Sequence, residues 1–85
     1  MGLIVTQSRH TVGETVARLI ASLEQRHIKL FARIDHAGEA GGAGLELGPE
    51  ELLLFGDPRV GTLLMQADPR VGLELPLRIL VWQAG

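Results

Sequence analysis

Leu52-Leu53-Leu54-Phe55-Gly56-Asp57-Pro58-Arg59-Val60-Gly61 carries the chain from a strand directly into a helix. Four successive apolar residues, Leu52 to Phe55, predict a central strand within Glu51–Gly56, covered on both faces. Asp57-Pro58 then predicts a helix start. The carboxylate can cap free backbone N–H groups, and proline fits the first helical position, where its missing N–H costs nothing. Val60, Leu63 and Leu64 fall on one helical stripe with Met65 beside it. The same five letters return as Asp68-Pro69-Arg70-Val71-Gly72, so a second short helical segment is expected, folding this part of the chain back over the sheet. Two copies this close are not a solenoid, whose units need roughly 20 residues or more.

Upstream, residues 2–7 are short and β-branched, which predicts a first strand. Met1-Gly2 with Thr6 also fits an N-myristoylation pattern, but Leu3, Ile4 and Val5 favour the buried strand. Thr11-x-x-Glu14 is a capping box, in which hydroxyl and carboxylate each satisfy an N–H. Val12, Val16, Leu19, Ile20 and Leu23 follow at helical spacing, so residues 12–26 are expected as one amphipathic helix across a sheet face. Ile28–Asp35 alternates as a half-buried strand, with Ile28, Leu30, Ala32 and Ile34 on one face. Asp35 is placed to cap a short helix, His36–Ala43. Gly38, Gly41 and Gly42 weaken it by ~1 kcal/mol each relative to Ala, and Gly44 is placed to end it. Downstream, Pro76 precedes a last apolar strand, Leu77–Trp82, with Arg78 its one charge.

Composition bounds the function. With 85 residues the chain is one domain, residues 1–85, and a compact fold of that length has a radius of gyration of roughly 12 Å. Apolar residues make up 46%, so the chain is globular rather than disordered. Eight Lys and Arg against ten Asp and Glu alternate in sign without a block, so no nucleic-acid footprint is present. No apolar run is long enough to span a membrane, and no charged-then-apolar leader precedes the fold. The absence of cysteine removes disulfides and thiolate chemistry and fits a reducing cytoplasm.

Three stretches in order carry a resemblance: Phe31-Ala32-Arg33-Ile34-Asp35-His36-Ala37; Leu54-Phe55-Gly56-Asp57-Pro58 with Gly61-Thr62 and Leu64-Met65-Gln66; and Leu75-Pro76-Leu77-Arg78-Ile79-Leu80-Val81-Trp82. Together they resemble the family called domain of unknown function 302. The resemblance implies an α+β fold: an antiparallel sheet packed by one long helix and short helices, similar in plan to the TATA-binding-protein-like fold. It brings no activity, catalytic residue or cofactor. Members usually have helix-favouring residues after Asp35-His36-Ala37, and usually continue past the Trp82 strand into a further strand and helix. Since this chain stops at Gly85, an unpaired sheet edge and an uncovered face are expected, and with them self-association.

Among candidate site residues, Asp35-His36 is the leading polar pair, since a carboxylate beside an imidazole can orient it for proton transfer. Its plainer role is a helix cap followed by a first-turn histidine. His10 and His27 lie at opposite ends of the first helix, ~24 Å apart at 16 residues, so no metal site is expected. Arg59 and Arg70 at the two Asp-Pro starts suggest an anion pocket, but Asp57 and Asp68 already occupy those termini. The glycines from Gly38 to Gly48 match no phosphate-binding fingerprint, and no hydroxyl lies in a nucleophile elbow. Arg78, alone among apolar neighbours, is expected on a wet face or paired with Glu74 or Asp35. The expectation is a cytoplasmic ligand-binding or homo-oligomeric assembly module, without cofactor. Its pocket would lie between the sheet and Gly56–Gln66, with His36, Arg78, Asp35 and Met65 as ligand contacts. The alternative is an enzyme using Asp35-His36 for acid–base chemistry.

Overall fold

The computed structural model describes residues 7–84, so the strand expected at 2–7 lies, but for Gln7, outside the described residues. Three helices and three strands alternate: α1 (Val12–Gln25), β1 (Lys29–Asp35), α2 (His36–Gly42), β2 (Glu50–Gly56), α3 (Pro58–Ala67), a 3-10 helix (Pro69–Leu73) and β3 (Leu77–Trp82). The strands form an antiparallel sheet in the order β1-β2-β3. The fold is therefore α+β, with β2 central as its apolar run implies.

Local signals set most boundaries. The Glu14 N–H donates to the Thr11 hydroxyl at 3.1 Å. Only half of the capping box forms, because the Glu14 carboxylate lies 3.3 Å from His10 Nδ1 and not on the Thr11 N–H. At its other end α1 closes through His27, which takes a left-handed φ of 56°. That turn lets Ile28 N–H reach the Leu23 carbonyl at 2.9 Å. α2 ends the same way at Gly44, φ 78°, with Leu45 N–H on the Ala40 carbonyl.

Gly38 also explains why a glycine-rich α2 survives. A Cβ there would sit 2.6 Å from Asp35 Oδ2, whereas the bare Gly38 N–H donates to Asp35 Oδ1 at 2.9 Å. The glycine that weakens the helix interior makes room for its cap.

The core is one-sided. α1 lays Val12 and Val16 on Leu53 of β2, with Leu19, Ile20, Leu30 and Val81 around them. Val16 and Leu53 are fully buried. The expectation that all of Leu52–Phe55 is buried on both faces fails: Leu52, Leu54 and Phe55 are only half-buried. Nothing among the described elements covers the second sheet face as α1 covers the first.

The register corrects the β1 alternation as well. A bulge between Leu30 and Ala32 pairs Leu30 with Phe55, but Ala32 with Leu54 and Ile34 with Leu52. Cross-strand partners share a face. Leu30 therefore joins the α1 side, while Ala32 and Ile34 turn to the other side.

The largest departure concerns the doubled Asp-Pro segment. α3 packs on the 3-10 helix, and neither is among the elements packed across the sheet. The two project from the sheet end where β2 leaves and β3 begins. The radius of gyration is accordingly 14.8 Å, with extents of 43 × 29 × 22 Å.

Candidate functional site

Where this projecting arm leaves the sheet, it overhangs a half-open cavity of about 580 Å³. Its floor is the sheet end, with Ile28 and Phe31 from the start of β1, Gly56 from the end of β2, and Leu77 from the start of β3. Its roof is α3 and the segment that follows, contributing Val60, Gly61, Leu64, Met65, Gly72 and Leu75. The helical spacing that put Val60, Leu64 and Met65 together is visible here. Leu63 turns instead to the outer surface of α3, beside Pro58, Arg59, Thr62 and Gln66.

The two copies of Asp-Pro-Arg-Val-Gly build this roof. Asp57 Oδ1 accepts the Arg59 N–H at 3.0 Å, and Asp68 Oδ1 accepts the Arg70 N–H at 3.1 Å, so both carboxylates cap as read from sequence. Arg70 also folds back onto Asp68, with its terminal guanidinium nitrogen 2.8 Å from Oδ2. That side-chain hydrogen bond holds the Asp68 carboxyl below the usual carboxylate range. The glycine closing each copy faces a side chain across the seam. A Cβ on Gly61 would lie 3.4 Å from Leu75 Cδ1, and one on Gly72 would lie 3.3 Å from Met65 Sδ. Their bareness lets Leu75 and Met65 close in.

Of the four residues expected as ligand contacts, only Met65 lines the cavity. Asp35 and His36 lie at the opposite end of β1, six residues or about 20 Å from Lys29. There Asp35 spends its carboxylate on the Gly38 N–H. His36, half-buried, is the first residue of α2. Arg78 pairs across the sheet with Leu54 and is exposed, and among the described residues it joins no ion pair with Glu74 or Asp35. The strongest ion pair on the sheet is instead Arg33 Nε to Glu51 Oε1 at 2.6 Å, which raises the Arg33 pKa. Among the described residues no three His, Asp or Glu gather as metal ligands.

Sequence reasoning did not single out Phe31, Ile28 or Leu77 for this site. Lys29 Nζ stands 5.2 Å from the centroid of the Phe31 ring and Lys29 pairs with Gly56, but it is not among the residues that line the cavity. The lining is apolar, with Asp57 its one charged residue.

The family model described as domain of unknown function DUF302 matches residues 4–85. A crystal structure of an uncharacterised conserved DUF302 protein from Bacillus stearothermophilus superposes with a TM-score of 0.79 at 24% identity, over 88% of this chain and 59% of that one. This likeness is one of fold. Among curated proteins, the chain is 45% identical over 84 residues to "Fluoride-specific ion channel FluC 1" of Brucella suis biovar 1, covering 99% of this chain and 33% of that protein. "Fluoride-specific ion channel FluC 2" of Brucella melitensis biotype 1 matches at the same identity over 31% of its length. The chain spans about a third of the curated relatives it matches.

Proposed function

The chain belongs to the DUF302 family, and on that footing we propose that it is an assembly module that functions by pairing with a second copy of itself. The observation carrying this reading is the surface left bare around the projecting arm. Leu63 and Leu73 are 67% and 86% exposed, and Leu80 and Trp82 on β3 are also open. β3 is an edge strand among the described residues, a place where another chain can add.

In the Brucella relatives the matching segment is a third of a protein named as a fluoride channel. No helix among the described residues is long and apolar enough to cross a membrane. The cysteine-free composition of this chain accords with a reducing compartment.

Multi-angle light scattering across the micromolar range tests the proposal. The wild type should show twice the chain mass, and Leu63→Asp and Leu80→Asp should each halve it while far-ultraviolet dichroism stays unchanged. A wild type that remains a monomer throughout removes the reading.

A further inference from the structure

The sheet face turned away from α1 carries charges in an order that fits a second copy of itself. Residues alternate between faces along a strand, and cross-strand partners share one. Since Leu53 of β2 packs with Val12 and Val16 of α1, Glu50, Leu52 and Leu54 point the other way. Their partners join them there: Ile34 from β1, and Arg78, Leu80 and Trp82 from β3. The middle of this face is apolar, with Leu52 between Ile34 and Leu80. Leu80 and Trp82 are both open to solvent.

Its two charges stand at opposite ends. Glu50 pairs with Trp82, and Arg78 pairs with Leu54, so four residues or ~13 Å of strand separate them. Neither Glu50 nor Arg78 joins an ion pair among the described residues. A face with an acid at one end and a base at the other complements a copy that is turned end for end. A half-turn about an axis lying across the strands, level with Leu52 and Leu80, does this. It sets Leu80 over the partner's Leu80, and Arg78 over the partner's Trp82 and beside the partner's Glu50. Stacked sheets lie ~10 Å apart, a gap that an Arg and a Glu side chain span together. A guanidinium on an indole face with a carboxylate at its edge combines a cation–π contact with a charge-assisted hydrogen bond. Two-fold symmetry makes that contact twice.

Other arrangements lose it. A half-turn about an axis along the strands gathers the two arginines at one end and the two glutamates at the other. Pairing edge to edge through β3 leaves the partner's Glu50 two strands away from Arg78.

We infer that two copies stack their uncovered sheet faces with strands antiparallel, Arg78 of each meeting Glu50 and Trp82 of the other. This rests on the assembly reading above and gives it a geometry.

Charge reversal, read by native mass spectrometry and sedimentation equilibrium of the full chain, tests it. Glu50→Arg and Arg78→Glu should each weaken the homodimer about a hundredfold or more, because like charges then meet twice per dimer. An equimolar mixture of the two variants should form heterodimers with wild-type affinity, since both contacts in the mixed pair are again between opposite charges. The double reversal in one chain should restore the homodimer. A wild-type dimer with single reversals that dimerise as well as it does, or a mixture that recovers no heterodimer, overturns the stacking and leaves the assembly reading standing. A wild type that stays monomeric removes both. Should a single variant not fold, as judged by far-ultraviolet dichroism, the double reversal decides: dimerisation at wild-type affinity supports the stacking, and a folded monomer overturns it.

Discussion

The two halves of this molecule use similar amounts of apolar sequence to opposite effect. On the α1 side, Val12, Val16 and Leu53 are buried against one another. On the arm side, Val60, Leu63, Leu64 and Leu73 are each about half exposed or more. Both helices are amphipathic and both are capped at their N-termini. The difference is that α1 has a sheet face beneath it, while α3 has only the 3-10 helix and a cavity. Apolar patterning calls for a partner, and topology decides whether this chain supplies one.

Truncating the core side should have the largest effect. Leu53→Ala removes a fully buried side chain and should cost about 3 kcal/mol in urea unfolding, independent of protein concentration. Leu63→Ala on the arm should behave differently: its effect should appear only where copies associate and fade on dilution. If Leu53→Ala and Leu63→Ala show the same concentration dependence, the contrast between the halves is lost.

Caps give a finer comparison. Thr11→Ala on α1 should cost about 1 kcal/mol by chemical denaturation, since its hydroxyl takes the Glu14 N–H. At the far end of α1, His27→Gly should raise stability by up to about 1 kcal/mol, since φ 56° is costly for a residue with a Cβ. A destabilised His27→Gly would mean that the imidazole makes a contribution larger than the strain it bears.

The smallest effect is electrostatic and belongs to the arm. Asp68 titrates below its ordinary value because of the hydrogen bond from Arg70. A depressed carboxyl pKa stabilises the fold above the unfolded-state pKa, and that contribution is lost as pH falls through the lower, folded value. The gap in melting temperature between wild type and Asp68→Asn should therefore be present at neutral pH and close in acid. Because the pair is solvent-exposed, added salt should narrow it too. A gap that widens in acid would contradict the assigned sign.

Much of the architecture was legible in residue order. Thr11, Asp35, Asp57 and Asp68 announced four helix starts, Gly44 announced an end, and the spacing of Val12, Val16 and Leu23 announced a buried stripe. Each is a signal between residues within a turn or two, where the backbone itself fixes the geometry. The candidate site was legible only on one side. Met65 and Leu64 were readable as a stripe on their helix, but Phe31 and Leu77 line the same cavity from a dozen residues away or more.

Among the described residues, the chain's letters alone settled the helix starts, the helical and extended segments, the central place of β2, and the paired Asp-Pro-Arg-Val-Gly motif. Tertiary structure alone decided that the second start yields a short 3-10 helix, that a bulge reassigns Ala32 and Ile34, and that the arm leaves the sheet instead of lying across it. The physical reason is range. Hydrogen-bonded turns are determined by neighbours in the chain, whereas the direction of an arm depends on contacts between residues far apart in it, such as those of Gly61 with Leu75 and of Gly72 with Met65.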